Sequence, residues 1–351
     1  MKKIILILAV SATCGLTAGV AAEKAAKKIE LPHPFYWAEP DALRGDWDGD
    51  GGVVAQVVRT GDKVLSVQDL IPTADDEGKY EAHIFHQFDV ANDTPVAVLH
   101  GTRDGKIVSF EGDGWTGAVE GGHFKAQKGT AAFDLHHVTR TPPTLGAKPA
   151  AGALVLFNGS NLDAWARRDG SDWLKENGAP RWHLVDEGAM EIVPNSGYLL
   201  SHKWLGDYHL HLEFRTLGGP TNSGVYLETR YEANINEMYG RLDGNACTQF
   251  DNCTEKSSNP GIRCSRPPLE WQTMDIDFYA PRFDASGAKT ASARATVYFN
   301  GVLYYNDQAI GPPKLNAAKL GEAATGPIML QEHGMPAQFR NIWLVENLPP
   351  K

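Results

Sequence analysis

Four blocks in the second half of this chain place charged or amide side chains inside segments that alternate in polarity with a period of two. They are residues 223–232 (SGVYLETRYE), 266–276 (RPPLEWQTMDI), 330–334 (LQEHG) and 339–343 (FRNIW). Alternate residues of a strand share one face. Read as one strand, the first block sets Tyr226, Glu228, Arg230 and Glu232 against Val225, Leu227, Thr229 and Tyr231. Such a chain is constrained to sheets with one packed face and one polar face. Stripes that each hold Trp, Arg, His or a carboxylate suit a concave, sugar-binding sheet better than a merely solvated one.

Residues 1–22 have the physics of a signal peptide: Lys2 and Lys3, a short apolar run over 4–10, then small residues ending in Val20, Ala21 and Ala22. The apolar run is too short to span a bilayer. Cys14 raises a lipoprotein alternative, but residues 11–13 (SAT) lack the aliphatic residue that such a site places before the cysteine. Export to the periplasm is the expectation. Cleavage would remove Lys2 and Lys3 and no acid, moving the net charge from −10 to −12. An acidic surface without a basic run argues against nucleic acid and against anionic membranes as partners.

The remainder exceeds a usual single domain. With 36 Gly, 21 Pro and many short alternating runs, it reads as all-β. A Gly-rich β region is expected over 31–140, with strands at 53–59, 83–88, 96–99 and 106–110. The Pro-rich stretch 141–150 reads as a semi-rigid linker, and a second β domain occupies 151–348. Residues 46–51 (DWDGDG) imitate a calcium loop, but position twelve is Val57 rather than a bidentate Glu, so an acidic turn is expected. His83, His86, His136 and His137 read as satisfied or solvated imidazoles. Of Cys247, Cys253 and Cys264, the first two are closest in sequence, and a Cys247–Cys253 disulfide is expected in an oxidising compartment.

From about residue 154 to 344 the chain resembles the 3-keto-disaccharide hydrolase family. The resemblance rests on 156–165 (LFNGSNLDAW), 208–215 (YHLHLEFR), 222–226 (NSGVY), 230–232 (RYE), 270–273 (EWQT), 300–302 (NGV) and 326–334 (GPIMLQEHG), all in order. It implies a concanavalin A-like β-jelly-roll sandwich, here preceded by a smaller β-rich domain, and a substrate already oxidised at C3 of the sugar. A C3 ketone acidifies the C2 hydrogen, so a base can remove it, the C1 substituent can leave by elimination, and water can add back. The chemistry needs a base, a stabiliser for the enolate oxygen and an acid.

On that implied chemistry, His333 is the first choice for the base and Glu232 its rival, with Arg230 and Arg340 as partners for enolate or hydroxyl oxygens. Glu213, Asp275 and Gln331 would hold sugar hydroxyls, and Trp271 would stack on the ring. Should Ile328 and Leu330 face the groove instead of Met329 and Gln331, Glu332 would replace His333. A divalent metal held by His333, Glu232 and Glu213 stays open as a Lewis acid. The partner implied is a 3-keto-glycoside, linked functionally to a sugar 3-oxidoreductase. Two alternatives remain: a non-catalytic lectin-like module, and a conventional glycoside hydrolase. Retaining hydrolysis needs carboxyls about 5–5.5 Å apart, whereas Glu228 and Glu232 on one strand would stand roughly 13 Å apart.

Overall fold

The computed structural model describes residues 41–60, 78–87, 94–218, 221–242, 247–250, 253 and 262–348. The candidate signal peptide lies outside them. Among the described residues no helix is long and apolar enough to cross a membrane.

The first half is a closed antiparallel barrel of eight strands: β1 (Gly45–Gly49), β2 (Val54–Arg59), β3 (Lys79–Phe85), β4 (Ala97–Asp104), β5 (Ile107–Gly112), β6 (Trp115–Glu120), β7 (His123–Lys128) and β8 (Ala131–Val138). Each strand pairs with the next, and β1 closes on β8. Period-two alternation fills the interior with side chains, among them Trp47, Ile84, Leu99, Phe110 and Phe124, all buried. The wall fits tightly: a Cβ at Gly101 would lie 2.5 Å from the Phe110 ring. The DWDGDG segment differs from the expected turn. Asp46 and Asp48 are on β1, and both pair with Arg140.

The second half is a jelly-roll sandwich. Its earlier strands are β9 (Leu154–Phe157), β10 (Trp165–Arg168), β11 (His183–Val185), β12 (Ala189–Glu191), β13 (Tyr198–Leu205), β14 (Tyr208–Thr216), β15 (Asn222–Leu227) and β16 (Tyr231–Asn236). The later ones are β17 (Gln272–Tyr279), β18 (Arg282–Phe283), β19 (Lys289–Ala291), β20 (Ala293–Phe299), β21 (Val302–Ile310), β22 (Gly326–Leu330) and β23 (Ala337–Glu346). One sheet runs β10-β13-β22-β15-β16; the larger runs β11-β12-β23-β14-β17-β20-β21, with β9 also on β23. Leu210, Leu212 and Phe214 of β14 meet Val225, Leu227, Ile328 and Leu330 of the smaller sheet in one apolar layer. Burial of this kind stabilises by about 25 cal/mol per Å².

Asp46 also joins the two halves. Tyr239 Oη donates to its Oδ1 (2.8 Å), and Arg266 stands 3.9 Å from its Oδ2. Arg44 Nη2 donates to Pro268 O at 3.0 Å.

Residues 226–232 do not form one strand. β15 ends at Leu227, and Glu228 and Thr229 take left-handed φ of 52° and 61° in a turn closed by Arg230 N–H on Leu227 O. Glu228 is fully buried, and neither carboxyl oxygen has a hydrogen-bond partner among the described residues. Burial pushes its pKa up to about 8, against the opposing pull of Arg230. A raised carboxyl gives stability that is complete below its ordinary value of 4.5 and is lost as pH rises toward 8. Glu228→Gln is therefore expected to melt higher than the parent, with a gap that opens between pH 5 and 9 to roughly 1–3 kcal/mol. Thermal melts across that range check this; a gap independent of pH would refute it.

Candidate functional site

The outer face of the five-stranded sheet carries the candidate site. Register sets its membership: Arg168 faces Tyr198, Leu200 faces Met329, Met329 faces Tyr226, and Tyr226 faces Glu232. Gln331 follows β22, its N–H bonded to Gly224 O at 2.9 Å. Leu200, Tyr226 and Met329 form an apolar floor, with Trp173 and Tyr198 packed on it. Trp173 meets Tyr198 and Tyr226 edge to face at centroid distances of 6.3 and 5.6 Å. The floor itself is buried, so the surface left for the C–H faces of a sugar is that of the partly buried Trp173 and Tyr198.

Glu232 is a buried carboxylate of this face, lying against Gly224. A Cβ there would come within 2.7 Å of Glu232 Oε1, so only glycine leaves the carboxylate its place. The Tyr226 hydroxyl bonds Glu232, and burial followed by that carboxylate pushes the phenol's pKa far up. Gln331 Nε2 donates to the same hydroxyl (3.1 Å), while Gln331 Oε1, also buried, has no partner among the described residues. Asn234 completes the row on β16.

Beyond β22 the chain leaves the sheet. Met329 faces outward and Ile328 and Leu330 face the core, the first of the two parities considered, yet His333 gains little from it. It is exposed past the strand end. Glu332 is buried and accepts from Gly334 N–H at 2.6 Å. Both Glu332 and Glu232 help to raise the Tyr198 pKa, after burial, so two carboxylates address this face.

The remaining expected site residues lie elsewhere. Arg230 sits at the β15–β16 turn, where Nε donates to Gly321 O (2.7 Å) and Nη1 to Glu228 O (2.9 Å). Glu213, Trp271, Asp275 and Arg340 are on the outer face of the other sheet, across the sandwich from Glu232. There the segment following the barrel crosses them as a strap. Thr144 Oγ1 donates to Asp275 Oδ2 (2.7 Å), and Gly146 N–H donates to Glu213 Oε1 (2.6 Å). Arg340 Nε and Asn341 Nδ2 also donate to Glu213, at 2.6 and 2.8 Å. His211 lies fully buried between Asp275 (Nδ1, 2.6 Å) and Glu213 (Nε2, 3.7 Å). Trp271 does not offer an open ring: the guanidiniums of Arg340 and Arg215 stand 4.0 and 4.5 Å from its centroid.

Two further expectations are corrected. His333, Glu232 and Glu213 cannot share one cation, because Glu213 belongs to the opposite face. The Cys247–Cys253 bridge is not made: Cys247 is a buried thiol that donates to Asn234 O at 3.3 Å, and burial pushes its pKa up to about 12. Arg168, Trp173 and Tyr198, which sequence reasoning passed over, are the new members of the site.

A jelly-roll frame whose outer face joins an aromatic floor to buried carboxylates and amides suits a carbohydrate-active, glycoside-cleaving enzyme, the class to which its family assigns it. The chain belongs to the family of the 3-keto-alpha-glucoside-1,2-lyase-like domain, whose family model matches residues 152–345. Among solved structures it is similar to three glycosyl hydrolase candidates from Parabacteroides distasonis ATCC 8503. One is 28% identical over 56% of this chain and 84% of its own, with a TM-score of 0.44. The others are 16% identical (56% and 95% covered, TM-score 0.36) and 19% identical (56% and 99% covered, TM-score 0.37). Comparison with curated proteins returned no match.

Proposed function

We propose that this protein cleaves glycosides already oxidised to the ketone at C3, with Glu232 as the base. The observation that carries the reading is the setting of Glu232: a buried carboxylate fixed against Gly224, held by the Tyr226 hydroxyl and bordered by an aromatic floor. Glu232 takes the C2 proton. The C–H pair becomes the C2–C3 double bond, and the carbonyl pair moves to oxygen as the enolate. When the enolate collapses, the C1–O bond breaks with its pair on the departing oxygen, and protonated Glu232 can return the proton there. Addition of water to the resulting enone completes net hydrolysis. Gln331, Asn234 and Glu332 would hold hydroxyls, and His333 stands at the rim.

A second reading has its own support. Glu232 and Glu332 address one face, so a conventional acid–nucleophile pair is the alternative to ketone-dependent cleavage. Product release from a 3-keto-glucoside and from its unoxidised parent separates them. Turnover of the keto form alone is expected; turnover of the parent would favour the carboxylate pair, and turnover of neither would favour a binding module. The proposed chemistry needs a sugar 3-oxidoreductase upstream, and export by residues 1–22 would place the reaction in the periplasm.

A further inference from the structure

Many arginines of this protein are visibly committed to carboxylates. Arg340 pairs with Glu213, Arg215 with Glu187, Arg282 with Asp207 and Arg294 with Asp307. Arg230 is spent on backbone carbonyls. Arg168 differs. It is only 5% exposed and makes no ion pair among the described residues. Its Nε, like those of Arg167, Arg263 and Arg266, is buried without a hydrogen-bond partner among the described residues. Nη2 donates to Gly170 O at 3.0 Å, and the guanidinium is held between the rings of Trp173 (4.6 Å) and Tyr198 (5.0 Å). Two cation–π contacts offset part of the desolvation of this cation. They leave its Nε without a partner among the described residues, and the Asp169 and Asp172 carboxylates act on it only at longer range, without an ion pair; folding alone does not favour a buried cation so placed.

The position of Arg168 gives the cost a purpose. Arg168 is on β10 and Glu232 on β16, the two edge strands of the five-stranded sheet. Four interstrand steps separate their backbones by roughly 19 Å, and both side chains are long and belong to the same face. The Tyr226 phenol between them responds to both charges. An acid–base group and a buried cation thus lie toward opposite edges of one outward face, with Tyr198 and Tyr226 between them.

We propose that Arg168 is a catalytic residue that binds the C3 oxygen and stabilises the negative charge it acquires as C2 is deprotonated. The inference rests on the ketone-dependent reading above. The guanidinium is oriented by its two aromatic neighbours before substrate arrives, so its donors need no reorganisation when the enolate forms. Lysine would keep the charge but lose the planar stacking and the fixed fork of donors.

The test separates enolisation from cleavage. A 3-keto sugar lacking a C1 leaving group, 3-keto-1,5-anhydroglucitol, is incubated in D2O, and deuterium entry at C2 is followed by NMR. The native protein is expected to catalyse exchange. Arg168→Met and Arg168→Lys are each expected to slow it by about 10²–10³-fold. On a cleavable 3-keto-glucoside the loss should fall on kcat more than KM. Added guanidinium should restore part of the Arg168→Ala rate, a rescue that a purely structural arginine would not give. Wild-type exchange in a folded Arg168→Met, or a loss confined to KM, would overturn the role of Arg168 while leaving the reaction standing. Absence of exchange and cleavage in the native protein would overturn the ketone-dependent reading and the inference with it.

Discussion

Glu232→Gln is expected to lower kcat on a 3-keto-glucoside by about 10²–10⁴-fold, the span of a lost general base, with little change in thermal stability. The substitution is nearly isosteric, so it fits the space that Gly224 leaves. The Tyr226 hydroxyl, which bonds the carboxylate, can donate to an amide oxygen instead. What disappears is the capacity to take a proton from C2. His333→Ala supplies the contrast. Its imidazole is exposed beyond β22, and less than about a tenfold loss is expected there, the scale of a rim contact. Steady-state kinetics with melting curves for both variants checks the pair. A folded Glu232→Gln at full rate would remove Glu232 from the chemistry. A collapse confined to His333→Ala would return the base to the imidazole.

Alternation made much of the sandwich legible before the fold was known. β14 follows the expected division, with Leu210, Leu212 and Phe214 in the core layer and His211 and Glu213 outside it. Barrel strands β2, β4 and β5 also begin or end within a few residues of the expected runs. Parity failed where the backbone departs from a strand. The left-handed pair Glu228 and Thr229 turns the chain between β15 and β16, so Tyr226 and Glu232 share a face as cross-strand partners, and Glu228 is turned inward. On β23 the pairing shifts register between His211 and Glu213, and Asn341 has φ 46°. Arg340 and Asn341 can then both reach Glu213, which a strict two-residue period forbids.

Sheet membership was the larger gap. All eight polar residues chosen from the sequence come from strands or turns of the sandwich, but periodicity does not say which of two sheets a strand joins. Hence one expected site became two faces. Arg168, Trp173 and Tyr198 were illegible for the same reason: short β10 and its following loop show no distinctive pattern, and their meaning comes from β10 pairing beside β13.

Glu213→Ala is the second large effect, and it should strike stability rather than turnover. Glu213 is 1% exposed and receives donors from Gly146, Arg340 and Asn341, with His211 beside it. Removing it leaves the His211 and Arg340 charges without that carboxylate and releases one anchor of the strap; breaking such a buried pair costs about 3–5 kcal/mol. The pH dependence follows from the two shifted groups. Donors from His211, Asn341, Arg340 and Gly146 overcome desolvation and hold Glu213 down to about 2, from 4.5. Its contribution is complete above 4.5 and is lost as pH falls toward 2. His211 has burial working against it, but its hydrogen bonds to Asp275 and Glu213 raise it from 6.5 to about 9. That contribution is complete below 6.5 and is lost as pH rises through 9. The melting gap between parent and variant should therefore be widest between about pH 4.5 and 6.5 and narrow toward both extremes. On the parent's substrate, kcat and KM measured below the variant's melting temperature should match those of the parent. A sugar-binding Glu213 would give the opposite pattern, a raised KM with unchanged melting, and would move the active face to the sheet that the strap covers.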